Sequence, residues 1–141
     1  MPRIPIELVY MQTAYQFAQL SYAERRKVGC VIVKDHQVIS FGYNGMPHGF
    51  DNTCEDGNVT NPAVLHAESN AIMKVAKSTM SCVGAELYTT TCPCFGCAKL
   101  IIQAGIKMVY YTEEYRDMSG VDLLETAGIE VKQVNTWNGI Q

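Results

Sequence analysis

Apolar residues in the first part of the chain recur at helical spacing. Leu8, Met11, Tyr15 and Ala18 fall on one side of IELVYMQTAYQFAQL, which predicts an opening helix from Ile6 to Leu20. The pattern then changes. VGCVIVKDHQVISFGYNG holds two runs rich in β-branched residues around Lys-Asp-His-Gln, the pattern of a hairpin, although its turn lacks the favoured Asn-Gly pair. Gly45 to Asn61 is polar and carries Gly, Pro and Asn, so a long loop is expected there, and loops of that length are often functional. A helix is predicted from Leu65 to Lys77, a strand from Ala85 to Thr90, and a helix from Phe95 to Gln103 stopped near Gly105. KMVYYT reads as the next strand, Val121 to Ala127 as a helix and Ile129 to Val134 as a last strand.

From Leu65 onward, helix and strand alternate, which implies parallel strands joined by right-handed crossovers. A hairpin plus three parallel strands makes an α/β fold: one mixed five-stranded sheet with helices on both faces. No internal repeat, low-complexity tract or linker divides the chain, so a single domain over residues 1–141 is expected.

Composition narrows the setting. With 141 residues the chain has the usual size of one domain and enough length for a hydrophobic core. No apolar run approaches the roughly 18 residues of a membrane span. The N-terminal MPRIPIELVYMQ lacks the apolar centre of a signal peptide, so a cytoplasmic protein without membrane contact is expected. A net charge of −3 argues against a broad nucleic-acid surface. Arg25, Arg26 and Lys27 stand together against that balance, as either a solvated face or an anion contact. Six cysteines without a secretory signal argue against a disulfide scaffold; those at short spacing read as metal or redox ligands, and Cys30 in VGCVIV as a core residue.

Two short motifs carry the chemistry. LHAESNA places His66 and Glu68 at a predicted helix start; TCPCFGCAKL places Cys94 and Cys97 three apart at another, just after Pro93. His66, Cys94 and Cys97 can supply three ligands to zinc and leave a fourth position open, as in catalytic zinc sites. The positive ends of two helices would favour thiolates there. Glu68 is then free to shuttle protons beside the metal. Alone, Cys-x-x-Cys fits a redox pair or half a zinc knuckle equally well, and Cys92 or Cys82 could close a structural zinc site. Joined to His-x-Glu, the combination is the signature of zinc deaminases acting on nucleobases.

At this point the chain resembles the deoxycytidylate (dCMP) deaminase family. The likeness runs through SYAERRKVGCVIVKDHQVISFGYNG, HAESNAI, ELYTTTCPCFGCAKLIIQAGIKMVYYTEEY and LLETAGIEV, with GYNG and CAKLIIQAGIK more specific to that branch than the zinc motif. It implies the cytidine-deaminase fold, a three-layer α/β/α arrangement. It also implies zinc on His66, Cys94 and Cys97, with Glu68 moving protons from a water nucleophile to N3 of cytosine and then to the departing amine. By the same resemblance, the Ala67 amide and the Cys92 carbonyl hold the base edge and Asn44 contacts the sugar. The chain departs from many relatives in carrying Ala23 where they have cysteine, while Ser21 and Arg25 match. His48 and Cys54 are too few for the second, structural zinc that some relatives carry, so one zinc is expected.

A nucleotide substrate needs cationic donors for its phosphate, since burying one without them is costly. Ser21 and Arg25 are the candidates, with Arg26 and Lys27 beside them and Tyr115 as a further hydroxyl. dCMP is therefore the expected substrate. A deaminase of another nucleoside or a tRNA base, or a non-catalytic zinc-stabilised binding module, are the alternatives. The resemblance further implies a homo-oligomer, with a hexamer favoured. It also implies activation by dCTP with Mg2+ and inhibition by dTTP, at a second nucleotide site matched by Lys27, Gly42, Tyr43 and Gly45. There, Gly42 and Gly45 are expected to let the backbone approach phosphates and to adopt positive φ.

Overall fold

The computed structural model describes residues 3–135. The expected domain limits, 1–141, extend at both ends outside these described residues. The elements are α1 (Ile6–Ala18), β1 (Gly29–Lys34), β2 (Gln37–Tyr43), β3 (Glu55–Asp56), β4 (Val59–Thr60), α2 (Ala67–Ala76), β5 (Glu86–Thr91), α3 (Phe95–Ala104), β6 (Met108–Glu113), α4 (Ser119–Thr126) and β7 (Glu130–Gln133).

The main sheet has the order β2-β1-β5-β6-β7. β1 runs antiparallel to both β2 and β5, whereas β5, β6 and β7 are parallel, which is the mixed five-stranded sheet expected from the alternation. Period-two alternation along β1 divides the core. Cys30 and Ile32 face α2, α3 and α4, while Val31 and Val33 pack with Met11 and Ala14 of α1 on the opposite face. One helix thus covers one side of the sheet and three cover the other.

Glycine sets how closely helices approach. A Cβ on Gly29 would meet the Ala14 carbonyl of α1, and one on Gly42 would meet the Ala67 carbonyl and come within 2.7 Å of the Ala71 nitrogen in α2. Side-chain bonds reinforce the second contact: Ser40 Oγ donates to the Ala71 carbonyl at 2.8 Å, and Asn70 Nδ2 donates to the Tyr43 carbonyl at 2.9 Å. The first turn of α2 is therefore pinned to the end of β2.

Two turns differ from the expected sequence pattern. The β1–β2 connection places Asp35 at φ 50° and His36 at φ 63°, so both central residues are left-handed as a type I′ turn requires, without glycine. Asp and His are among the non-glycine residues that tolerate this region best. Within the expected long loop lies a short second sheet, β3 paired with β4, in which Gly57 at φ 64° opens a two-residue turn. Its strands are too short for any hydrophobic period, although Gly57-Asn58 is itself a two-residue hairpin signal.

Antiparallel pairing of β1 places its start between the end of β5 on one side and the end of β2 on the other. The segments 19–28, 44–66 and 92–94 consequently converge at one end of the sheet. α2 and α3 also begin there.

Candidate active site

His66 is the residue before the first turn of α2, and Cys94 is the N-cap of α3. The Cys94 sulfur accepts the Cys97 backbone N–H at 3.4 Å, so this thiol caps its own helix. Extended backbone at both cap residues turns their side chains toward a common point. His66 Nδ1 lies 3.4 Å from Cys94 Sγ and 3.3 Å from Cys97 Sγ. Among the described residues these three form the one His/Cys/Asp/Glu group whose ligand atoms all lie within 4.8 Å of one another. A tetrahedral zinc of ordinary bond lengths separates sulfur from nitrogen ligands by about 3.6 Å. The donor set and spacing therefore fit zinc.

Neither alternative fourth cysteine joins the group. The Cys92 thiol sits 3.6 Å from Met118 Sδ in a separate apolar cluster, and Cys82 is packed in the core before β5. Cys94 is held at about 3, through hydrogen bonds from the Cys97 thiol and His66, whereas that same Cys94 contact and burial push Cys97 well up. The N-terminus of α3 favours a thiolate at its cap.

Glu68 is 4% exposed although it carries a carboxyl group. Burial pushes that carboxyl up to about 7, against the downward pull of its own backbone amide and of His66. A buried carboxyl poised near neutrality can both take and give a proton.

The group opens onto a cavity of about 390 Å³, within the usual range for small-molecule sites. Glu68, His66 and Cys94 line its floor with Ala67, Thr91 and Cys92; Arg25, Arg26, Asn44, Glu55, Thr60 and Tyr115 are on its walls. Ala67 is the first residue of α2, and an N–H in that turn has no partner within its own helix. The Cys92 N–H is spent on the Glu113 carbonyl at 2.9 Å.

The wall segment 21–28 is held by side chains from elsewhere. Asn44 Oδ1 accepts the Val28 N–H at 2.9 Å and its Nδ2 donates to the Arg26 carbonyl at 2.8 Å. Arg25 Nη1 donates to Thr60 Oγ1 at 2.9 Å, and the Arg26 guanidinium lies 5.2 Å from the Tyr115 ring centroid. Ser21 does not reach the cavity. Its buried hydroxyl donates to the Asn44 carbonyl at 2.7 Å and accepts the Ala23 N–H at 3.1 Å, so it shapes the loop rather than touching a substrate.

The residues matched to a second nucleotide site separate in space. Lys27 is exposed and lines neither this cavity nor the next. Gly42 is buried under α2 and, like Gly45, has no positive φ; helix packing, not a phosphate, needs its missing side chain. Gly45 exchanges backbone hydrogen bonds with Leu65, at 3.1 and 2.8 Å, just before His66. Tyr43 and Gly45 do line a second cavity of about 400 Å³, along with Tyr22, Phe50, Lys74 and Lys77.

Sequence reasoning missed Glu55, Thr60 and Thr91 as lining residues, and also Gly120. The Gly57-Asn58 pair is a hairpin signal that flanks the first two; nothing in the sequence points to the others. A Cβ on Gly120 would meet the Pro93 carbonyl, with Cys94 backbone atoms at 2.7 Å, so α4 lies directly against the turn that carries the metal ligands.

Comparison with known proteins agrees with this geometry. Residues 6–113 match the family model of the cytidine and deoxycytidylate deaminase zinc-binding region. The chain is 39% identical to ComE operon protein 2 of Bacillus subtilis, over 95% of this chain and 74% of that protein. It is 38% identical to the deoxycytidylate deaminase of Saccharomyces cerevisiae, over 88% of this chain but only 43% of the yeast enzyme, so it spans less than half of that relative. The dCMP deaminase of cyanophage S-TIM5, solved in complex with dCMP and dUMP, superposes with a TM-score of 0.90 at 46% identity, covering 95% of this chain and all of that one (100%). By family match, fold and His-Cys-Cys centre together, the chain belongs to the zinc-dependent cytidine and deoxycytidylate deaminases.

Proposed function

We propose that the protein, as a single domain, deaminates dCMP to dUMP and ammonia. The observation that carries this reading is a buried Glu68 beside His66, Cys94 and Cys97, at the floor of a cavity whose wall bears Arg25 and Arg26. His66, Cys94 and Cys97 would hold zinc, which when bound acts as a Lewis acid and eases deprotonation of a water nucleophile. Glu68 accepts that proton at its carboxylate and delivers it to N3 of the cytosine as the water oxygen bonds to C4; it then takes the second proton of that oxygen and gives it to the amine, which leaves as ammonia while C4 becomes a carbonyl. The Ala67 N–H and the Cys92 carbonyl orient the base edge, while Asn44 supports the sugar-facing wall. Arg25, with Arg26 and Tyr115 near it, meets the 5′-phosphate. The cyanophage and yeast enzymes, named for dCMP, favour this substrate over a free nucleoside.

Regulation belongs to the same reading. dCTP, with magnesium as its counter-ion, and dTTP would bind in the second cavity. Support comes from its aromatic residues Tyr22, Tyr43 and Phe50, which suit a base, and from Lys74 and Lys77, which suit phosphates. Gly45 and Asn44 are adjacent in sequence but line different cavities, giving a short path for coupling. A homo-oligomer, hexameric by analogy with the family, and a cytoplasmic setting complete the proposal; no described helix is long and apolar enough to cross a membrane. Ammonia release from dCMP, dCTP, deoxycytidine and cytosine by the purified protein tests the substrate. Preference for deoxycytidine or cytosine over dCMP would refute the nucleotide reading.

A further inference from the structure

We propose that Glu55, together with its cross-strand partner Thr60, is the positioning device for the phosphate-binding Arg25. This inference rests on the dCMP reading above. Three observations carry it. Both Glu55 carboxylate oxygens accept hydrogen bonds from consecutive backbone N–H groups: that of Glu24 at 3.0 and 3.2 Å, and that of Arg25 at 3.1 Å. Thr60 Oγ1 accepts from the guanidinium of the same Arg25 at 2.9 Å. Glu55 and Thr60 are directly paired in the β3–β4 register, so one cross-strand pair grips Arg25 at its backbone and at its side-chain end.

The chemistry explains why a small hairpin sits there. An arginine on an irregular loop loses much rotamer entropy when it engages a ligand. Holding it beforehand removes that cost from binding. A carboxylate close to a substrate phosphate would otherwise be a defect, because like charges repel. Glu55 is tolerable there because two N–H dipoles absorb its charge and because what it fixes is the opposing cation. Arg26 is steadied differently, by the face of Tyr115. The two arginines therefore stand on separate supports.

Two opposite effects of Glu55 are separable. If it acts by position, removing it weakens phosphate recognition; if it acts only through its charge, neutralising it strengthens phosphate recognition. The measurement is the ratio of kcat/KM for dCMP to kcat/KM for deoxycytidine in full-length Glu55→Ala, Glu55→Gln, Thr60→Val, Thr60→Ser and Arg25→Ala variants. The expected result is a fall of about tenfold or more for Glu55→Ala, the scale of one charged hydrogen bond. Glu55→Gln and Thr60→Val fall less, Thr60→Ser keeps the parent ratio, and Glu55→Ala adds nothing once Arg25 is alanine. Should Glu55→Ala be insoluble, Glu55→Gln and Thr60→Val give the same answer. A raised ratio in Glu55→Gln, or equal losses on both substrates, overturns the positioning role while leaving Arg25 as the phosphate ligand. An unchanged ratio in Arg25→Ala overturns the phosphate reading and this inference with it.

Discussion

Gly120→Ala offers a perturbation outside the metal-ligand set whose effect the packing dictates. Gly120 is the second residue of α4, where alanine by propensity alone should stabilise the helix by about 1 kcal/mol. Packing opposes this. The added methyl would overlap the Pro93 carbonyl and lie 2.7 Å from the Cys94 carbonyl carbon and oxygen, all of them backbone atoms that no rotamer change can clear. Ordinary contact begins near 3.4 Å, so clearing the Cys94 atoms alone parts helix and turn by about 0.7 Å, and clearing the nearer Pro93 carbonyl takes more. Overpacking of this kind costs about 1–3 kcal/mol, enough to cancel the propensity gain. The displacement lands on Cys94, and zinc ligand distances tolerate only about ±0.2 Å. We expect weaker zinc retention against a chromophoric chelator, and deamination lowered by about 10²-fold, the usual penalty for misplacement near 1 Å. Gly96→Ala is the control, because its Cβ would find only Cys94 Sγ, at 3.9 Å. A Gly120→Ala protein with a raised Tm and parental zinc affinity and rate would show that α4 does not fix the turn carrying Cys94.

Further outcomes follow from the same site. Cys94→Ala should lose zinc along with activity, as read by metal analysis of the purified protein; stoichiometric zinc there would move the ligand to Cys92. Arg25→Ala should raise KM for dCMP by about 1.5–3 kcal/mol in binding, or roughly ten- to hundredfold, with far less effect on deoxycytidine; equal effects would make Arg25 structural. dCTP should shift dCMP saturation from sigmoidal towards hyperbolic. Lys74→Ala, which removes an ammonium 3.8 Å from the Phe41 ring centroid at the second cavity, should weaken that shift; hyperbolic kinetics indifferent to millimolar dCTP and dTTP would show that the cavity is not an effector site.

What the sequence revealed, and what it hid, follows from the range of each interaction. Helix and strand order was legible because burial on one face imposes a period, and β1 alternates cleanly between the two cores. The His-Cys-Cys centre was legible because two helix starts carry its ligands at short, fixed spacings. Gly42 was misread because a missing side chain announces a close approach without saying what approaches, and here it is the first turn of α2. Ser21 was misplaced because a hydroxyl can serve a substrate or its own loop, and only the fold shows its two backbone partners. Gly120 and Thr60 act across gaps of more than 20 residues, which no local pattern encodes.

The most direct test of the account is Glu68→Gln, assayed for ammonia release from dCMP with zinc quantified in the same sample. Glutamine fills the buried space of Glu68 without offering a carboxylate. General acid–base groups contribute about 10²–10⁴-fold, and this one serves several transfers, so the rate should fall by at least that range. One zinc per chain, an unchanged melting profile and almost no ammonia are expected. A variant keeping a tenth of the parental rate would show that Glu68 does not carry the proton.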